Sequence, residues 1–292
     1  MTDIRPPKRV FPHAREEAET ASQQTAVPQT EDPAYRLAFQ DMDFLLREDL
    51  RPVRFQLELL KPELLLDEAK IRSTFVFYGS ARIPEPAKAD ALIAAAATDE
   101  QRRIAQSLKA KSHFYDEARA LARIASRTPL DEQGWRQFVV CSGGGPSIME
   151  AANRGACDEG AGSVGLNIVL PHEQLPNPYV TPGLSFQFHY FALRKMHFLL
   201  RARAIAIFPG GFGTFDESFE LLTLIQTRKI KPLPIVFFGK DFWQRVVGFE
   251  ALVEEGVIAP RDLELFHFVD TAQEAWDHVH AWWSEREKGE AS

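Results

Sequence analysis

Residues 204–217, AIAIFPGGFGTFDE, place an apolar run of strand length directly before a glycine-rich turn and an acidic segment. The residues that follow have helix-like apolar spacing. The pattern therefore predicts a strand at 204–208, a tight turn, and a helix at 214–227. A strand that passes through a glycine turn into a helix is typical of the βαβ units of parallel sheets.

The same order of elements recurs on both sides of this stretch. Five further strands are predicted at 74–78, 138–141, 163–167, 233–238 and 266–269. Further helices are predicted at 113–126, 147–159, 191–201 and 241–254, and a final helix starts with a capping box of Thr271 and Glu274. Alternating strands and helices predict an α/β fold with a parallel sheet.

The region before the first predicted strand has a different composition. Residues 1–34 are rich in Pro, Gln, Thr, Glu and Ala, which predicts a disordered or loosely ordered tail. Residues 35–72 carry leucines at helical spacing, interrupted by Pro52 and Pro62, which predicts a helical collar. The α/β domain is predicted at 73–284 and a solvated tail at 285–292.

Composition narrows the class of protein. The 292 residues carry a formal net charge of −7. Proteins that bind DNA or RNA usually have an excess of basic residues, so no nucleic acid partner is expected. No apolar run approaches the length of about 18 residues that a membrane span needs, and the N-terminus lacks the apolar segment of a secretory signal. We therefore expect no membrane partner and a cytoplasmic location. The two cysteines, Cys141 and Cys157, have no metal-binding spacing and are expected to stay reduced.

Three predicted strands end in small-residue turns, GSAR at 79–82, SGGGPS at 142–147 and PGGFGT at 209–214. At the carboxyl ends of parallel strands, glycines let an anion approach backbone N–H groups, and the start of a helix adds unsatisfied donors. Two of these turns open directly into helices, which predicts a phosphate or carboxylate site between them. The alternative is that the glycines only make tight turns. Neither turn matches the P-loop or the dinucleotide-binding motif.

The charged residues near these turns have two interpretations. Glu217 and Glu150 stand at capping-box spacing, so each either caps its helix or faces the anion site. Arg194, His197 and Arg201 recur at three- or four-residue spacing, which is typical of a solvated cationic face.

The run 209–217 matches the PGGxGTxxE signature of the LOG family, also known as the lysine-decarboxylase-like family. Three companion motifs, at 79–82, 143–151 and 193–196, stand in family order. The resemblance covers residue 73 to the C-terminal helix, and the leucine-rich segment before it resembles the longer bacterial form. Ser147 stands where that form commonly has glycine, and Phe215 where leucine is common. Characterised members of the family are cytokinin riboside 5′-monophosphate phosphoribohydrolases.

The resemblance implies a Rossmann-like, doubly wound parallel sheet with helices on both faces, preceded by an N-terminal helical extension. It also implies a homo-oligomer, at least a dimer, with the site near the subunit interface. Arg194 and Glu217 are implied as the catalytic residues, with no cofactor and no metal. The implied substrate-binding residues are Gly210, Gly211, Gly213 and Thr214 for the 5′-phosphate, Ser80 and Gly144 for the ribose and base side, and Glu150 for the ribose.

The implied reaction is hydrolysis of the N-glycosidic bond of a nucleoside 5′-monophosphate, a cytokinin riboside 5′-monophosphate or AMP, to free base and ribose 5-phosphate. Because cleavage makes an oxocarbenium-like sugar, the site must place negative charge near C1′ and guide a water. Glu217 would do one or both, and Arg194 would orient the substrate and complement either Glu217 or the phosphate. Alternatives are a purine nucleotide nucleosidase without a cytokinin role, a nucleotide or cofactor carrier, and a DNA-processing protein on the same fold. Lysine decarboxylation is not expected, because the glycine loops hold no lysine for a pyridoxal phosphate Schiff base.

Overall fold

The structure is a computed structural model that describes residues 11–171 and 175–290, with the side chains of 287–290 left out. Residues 1–10 of the predicted N-terminal tail and the last two residues lie outside this part of the chain. The chain divides into two compact units, Met1–Glu58 and Leu59–Ser292.

The first unit is built from short helices. It contains α1 (Ala14–Ser22), α2 (Pro28–Glu31), α3 (Met42–Leu45), short 3-10 segments at Pro33–Tyr35 and Glu48–Leu50, and the start of α4 (Arg51–Glu68). Helices α1 to α3 have no buried residues, so little apolar burial stabilises them. The predicted helical extension is therefore present, and both α1 and α2 form within residues 1–34.

The second unit contains one sheet of seven parallel strands in the order β4-β3-β2-β1-β5-β6-β7. The strands are β1 (Thr74–Tyr78), β2 (Val139–Ser142), β3 (Val164–Ile168), β4 (Ser185–Phe188), β5 (Ala202–Ile207), β6 (Ile235–Phe238) and β7 (His267–Val269). Each of the six predicted strands is present, with its ends within two residues of the prediction. The prediction missed β4, a four-residue edge strand in which Phe186 and Phe188 are buried and the residues between and before them are not.

Helices cover both faces of the sheet, because alternate side chains of each strand point to opposite faces. Phe75 and Phe77 of β1 pack on the face covered by α7 (His113–Ser126), α8 (Ile148–Asp158) and α13 (Ala272–Glu290). Val76 and Tyr78 pack on the face covered by α9 (Phe191–Leu200), α10 (Phe212–Gln226), α11 (Lys240–Val246) and α12 (Phe249–Glu254). The doubly wound, Rossmann-like α/β fold is thus confirmed.

The remaining elements lie in the connections. Helices α5 (Pro86–Ala94) and α6 (Asp99–Lys109) pack on each other, and α5 also contacts α7. Short 3-10 segments lie at Pro182–Leu184 and Pro260–Leu265. The helix predicted at 241–254 is instead two helices, since Val247 takes an extended conformation (φ −133°, ψ 113°) before Gly248. Helix α13 runs through residues 285–290, which were predicted as tail. No helix in the described ranges combines the length and the apolar composition that crossing a membrane would need.

The strand order places a switch point between β1 and β5. From β1 the chain steps to β2, β3 and β4 on one side, and it then returns to add β5, β6 and β7 on the other. Parallel crossovers are right-handed, so the helices that connect strands on one side of the switch point lie on the opposite face of the sheet from those on the other side. The loops that follow β1 and β5 therefore lead to opposite faces and diverge. At their bases the two loops are joined, since the Ser80 amide donates to the Pro209 carbonyl at 3.1 Å. A crevice therefore opens above these two strands.

Candidate active site

A cleft of about 750 Å³ occupies the switch point. It lies above the carboxyl ends of β1 and β5, where the loop after β1 faces the start of α10. Its lining residues are Gly79, Ser80, Ala81, Arg82, Met149, Arg194, Gly211, Phe212, Gly213, Thr214, Phe215, Glu217 and Val246. Six of the nine residues predicted for the site line this one cleft, namely Ser80, Arg194, Gly211, Gly213, Thr214 and Glu217.

Arg194 of α9 and Glu217 of α10 form an ion pair at the edge of the cleft. The Nη1 atom of Arg194 lies 3.3 Å from Oε1 of Glu217, and the two side chains are only 12% and 14% exposed. Two other contacts orient the guanidinium. Its Nε donates to the Leu166 carbonyl at 2.7 Å, and its Cζ lies 5.0 Å from the centre of the Phe198 ring. The two predicted catalytic residues, 23 positions apart in sequence, are thus brought together from different helices.

Burial raises the pKa of Glu217 to about 7. Loss of water around the carboxylate is the main cause, and the nearby charges of Asp216 and Glu220 act in the same direction. Arg194 and Lys195 oppose the rise in pKa without cancelling it. Glu217 therefore exchanges a proton near neutral pH, as a general acid or base must.

Tyr78 and Cys141 lie near the ion pair, at the ends of β1 and β2. Burial raises the pKa of each side chain well above its usual range, and the negative charge of Glu217 adds to the rise. Both groups are therefore neutral at physiological pH and give Glu217 no compensating charge. The sequence did not mark them as site residues, because each is one more apolar position in a buried strand.

Lys195 joins the two helices that carry the pair. Its Nζ lies 2.8 Å from Oδ1 of Asp216 and 2.9 Å from Oε2 of Glu220. These contacts hold α9 against the first three turns of α10. The sequence did not indicate this role, because Asp216 and Glu220 lie on a different helix.

The glycine loop 209–213 leads into α10, which begins at Phe212 with Gly211 as its N-cap. A Cβ at Gly210 would lie 2.1 Å from Oγ1 of Thr214, so the loop closes this tightly only with glycine at that position. A Cβ at Gly211 or Gly213 would meet no atom within 4 Å, since both face the open cleft. The first backbone N–H groups of a helix lack intrahelical partners, and an anion in the cleft would accept from them.

The capping boxes that spacing allows for Glu217 and Glu150 are absent, whereas the predicted box of Thr271 and Glu274 is present. Thr214 is the third residue of α10 rather than its N-cap, and Glu217 contacts Arg194 instead. Ser147 does precede α8, yet its hydroxyl donates to the Ile83 carbonyl, and Glu150 accepts from the Tyr115 hydroxyl at 2.9 Å. Both glutamates therefore have tertiary partners, which residue spacing does not reveal.

Ser147 has a left-handed backbone (φ 66°, ψ −123°), a conformation that glycine adopts more readily. Glycine at this position would relieve the strain that serine bears. In this chain the residue is serine, and its hydroxyl donates a hydrogen bond to the loop after β1 that glycine could not make.

Three predicted binding residues do not line the cleft: Gly144, Glu150 and Gly210. Gly144 is buried, with its N–H donating to Ser142 Oγ at 3.0 Å and its carbonyl accepting from the Asn177 amide at 2.8 Å. Because these backbone groups already have partners, Gly144 shapes the turn after β2, where its φ is 72°.

A smaller side pocket of about 180 Å³ adjoins the cleft. Met149 and Arg194 line both spaces, so the two are neighbours. The pocket is otherwise lined by Gly143, Gly145, Asn167, Ile168, Leu170 and Phe191, which are mostly apolar or small.

The trio Arg194, His197 and Arg201 is not a solvated face, so that prediction is wrong. His197 is buried. Arg201 lies 2.9 Å from Oε2 of Glu63 and 2.8 Å from Oδ1 of Asp67, both on α4. The acidic residues of α4 cover this side of α9, which the pattern within α9 does not predict.

Residues 149–279 match a family model described as "Possible lysine decarboxylase". The matched stretch is somewhat less than half of the chain and contains the PGGxGTxxE signature at 209–217, in agreement with the resemblance stated from that signature. No curated protein matches the chain.

Solved structures are similar over most of the chain at low identity. The structural genomics target TM1055 is 19% identical, with a TM-score of 0.45, over 72% of this chain and 99% of that one. Two structures of the molybdenum cofactor carrier protein from Chlamydomonas reinhardtii are each 16% identical, with TM-scores of 0.40 and 0.41, over 73% of this chain and 99% of theirs.

Proposed function

From the lysine-decarboxylase-like (LOG) family match over residues 149–279 and the geometry of the cleft, we propose that this protein hydrolyses the N-glycosidic bond of a nucleoside 5′-monophosphate. The products are the free base and ribose 5-phosphate. The observation that carries the proposal is the buried Arg194–Glu217 pair beside the glycine loop, with the pKa of Glu217 raised to about 7.

In this reaction the bond between C1′ and the base nitrogen breaks, and its electron pair leaves with the base. A water oxygen adds to C1′, and the base takes up a proton. As a carboxylate, Glu217 stabilises the positive charge that develops on the sugar and accepts the proton of the attacking water. A pKa of about 7 leaves about half of the Glu217 side chains ionised at neutral pH.

The spacing along α10 suits a nucleotide. Glu217 is three residues beyond Thr214, which corresponds to a rise of about 4.5 Å along the helix. A 5′-phosphate held by the start of α10 would therefore leave its ribose beside Glu217. Arg194, oriented by the Leu166 carbonyl and by Phe198, orients the sugar and complements the carboxylate.

The family's printed description does not suit this cleft. A decarboxylase that uses pyridoxal phosphate needs a lysine for the Schiff base. No lysine is among the described residues that line the cleft. We therefore do not extend lysine decarboxylation to this protein.

A product assay tests the proposal. Purified protein is incubated with AMP or isopentenyladenosine monophosphate, and free base and ribose 5-phosphate are measured. Glu217→Gln is expected to lower kcat by about 100-fold or more, as loss of a general base does. Glu220→Gln is the matched control, since it removes a carboxylate one turn further along the same helix that does not line the cleft.

Three outcomes separate the alternatives. Faster cleavage of the isopentenyl nucleotide would favour cytokinin activation, and faster cleavage of AMP would favour general nucleotide turnover. If wild type binds AMP and cleaves neither nucleotide, the protein is a carrier and the catalytic assignment fails. The predicted homo-oligomer, at least a dimer with the site near the subunit interface, is a separate proposal that light scattering of the purified protein tests.

A further inference from the structure

Arg82 is a charged residue of the cleft without a partner among the described side chains. Three charged residues line the cleft, namely Arg82, Arg194 and Glu217. Arg194 and Glu217 neutralise each other at 3.3 Å. The guanidinium of Arg82 is exposed and makes no ion pair or hydrogen bond within the described part of the chain.

The backbone that carries Arg82 is held firmly although its side chain is free. On one side, the Ser80 amide donates to the Pro209 carbonyl at 3.1 Å, and the Ser80 carbonyl accepts from the Ile148 amide at 3.3 Å. On the other side, the carbonyl of the buried Ile83 accepts from the Ser147 hydroxyl. The Arg82 amide itself donates to Oγ of Ser80 at 3.0 Å. Arg82 is therefore presented from a rigid loop that is bonded directly to the glycine loop.

Apart from Arg82, the cleft offers no uncompensated positive charge to a phosphate. A phosphate monoester carries between one and two negative charges at neutral pH, since its second pKa is about 6. The start of α10 offers oriented N–H groups and a helix dipole, but no formal charge. Of the two cleft arginines, Arg194 is committed to Glu217, which leaves Arg82.

We propose that Arg82 binds the 5′-phosphate of the substrate from the side opposite the glycine loop. This inference rests on the proposed function, because it names the residue that recognises the phosphate of that substrate. A guanidinium presents a planar fork of N–H donors that matches two phosphate oxygens, which a lysine does not reproduce. Arg82 is a binding residue and takes no part in breaking the glycosidic bond.

Calorimetric titration with AMP and with adenosine tests the assignment. Loss of a hydrogen-bonded charge pair corresponds to about 10- to 100-fold in Kd, so Arg82→Gln is expected to weaken AMP binding by that factor. Adenosine lacks the phosphate, and its Kd is expected to change by less than about twofold. Arg82→Lys is expected to restore part of the AMP affinity, since it keeps the charge and loses the fork. Arg103→Gln is the matched control, because Arg103 is an exposed arginine of α6 outside the cleft.

The outcomes separate this proposal from the proposed function. Equal AMP affinity of wild type and Arg82→Gln would overturn it, and so would an equal loss of AMP and adenosine affinity, which would place Arg82 on the base. If AMP binding depends on Arg82 but no base is released, only the hydrolytic function fails. If wild type binds no AMP, both proposals are wrong.

Discussion

Replacement of Glu217 by glutamine is expected to stabilise the protein above pH 7 and to have a much smaller effect near pH 5. Burial raises the pKa of this carboxyl from its usual 4.5 to about 7, so the folded state favours the protonated form. The stability contributed by the protonated form is fully present below pH 4.5. It is lost progressively as the pH rises through 7, because the buried carboxylate must then ionise. Glutamine is neutral at every pH and does not bear this cost.

The size of the effect follows from the two pKa values. Each pH unit between 4.5 and about 7 changes the difference in unfolding free energy by about 1.4 kcal/mol, which sums to about 3 kcal/mol. Water reaches the exposed 14% of the side chain and screens the charge in part, so we expect about 2–3 kcal/mol. The attraction of Arg194 is already contained in the raised pKa, since it opposes the rise.

Urea unfolding of wild type and Glu217→Gln at pH 5, 6, 7 and 8 measures this difference. The gap between the two unfolding free energies is expected to grow with pH and to level off above about pH 7.5. Glu220→Gln is the control, which is expected to destabilise slightly through loss of the ion pair with Lys195. A gap that stays constant with pH would refute the reasoning. A gap that shrinks as pH rises would show that Arg194 outweighs desolvation and lowers the pKa.

Hydrolysis of AMP is expected to decline below an apparent pKa of about 7, because protonated Glu217 accepts no proton from water, and a pH profile of kcat checks this. Gly210→Ala is expected to cost about 1–3 kcal/mol of unfolding free energy, because its Cβ would lie 2.1 Å from Thr214 Oγ1. Gly211→Ala has open space, so it is expected to keep its stability and weaken AMP binding in calorimetry. Ser147→Ala is expected to be less stable than Ser147→Gly by about 1–2 kcal/mol in thermal unfolding, since only glycine relieves the positive φ.

The pH profile and the unfolding experiments can each contradict the physical reason given. A kcat that is unchanged between pH 5 and pH 8 would remove Glu217 as the base. Equal unfolding midpoints for the two glycine variants would mean that Thr214 moves aside without cost. Equal stability of the two Ser147 variants would show that the left-handed backbone carries no strain.

The fold was largely predictable because its signals are local. Apolar runs such as 74–78 and 204–208 end in glycine turns, and a residue's own neighbours determine whether a strand or a helix forms. The elements that were predicted wrongly depend on contacts with residues distant in sequence. Strand β4 has only two buried side chains and exists because it pairs with β3. The helix predicted at 241–254 breaks at Val247, and the apolar spacing of this segment does not predict the break.

The sequence by itself determined which residue types meet at the cleft, because motif order places the ends of β1 and β5 and the start of α10 at one edge of a parallel sheet. Only the tertiary structure decided what those residues do. Glu217 stands at capping spacing, yet it faces Arg194 from another helix, and burial together with neighbouring charges sets its pKa. Arg201 is paired with Glu63 and Asp67 of α4, whereas Arg82 is exposed at the cleft, and the sequence around the two arginines does not predict this difference. Desolvation and ion pairing depend on distances between residues far apart in the chain, and residue spacing along one helix or strand does not contain those distances.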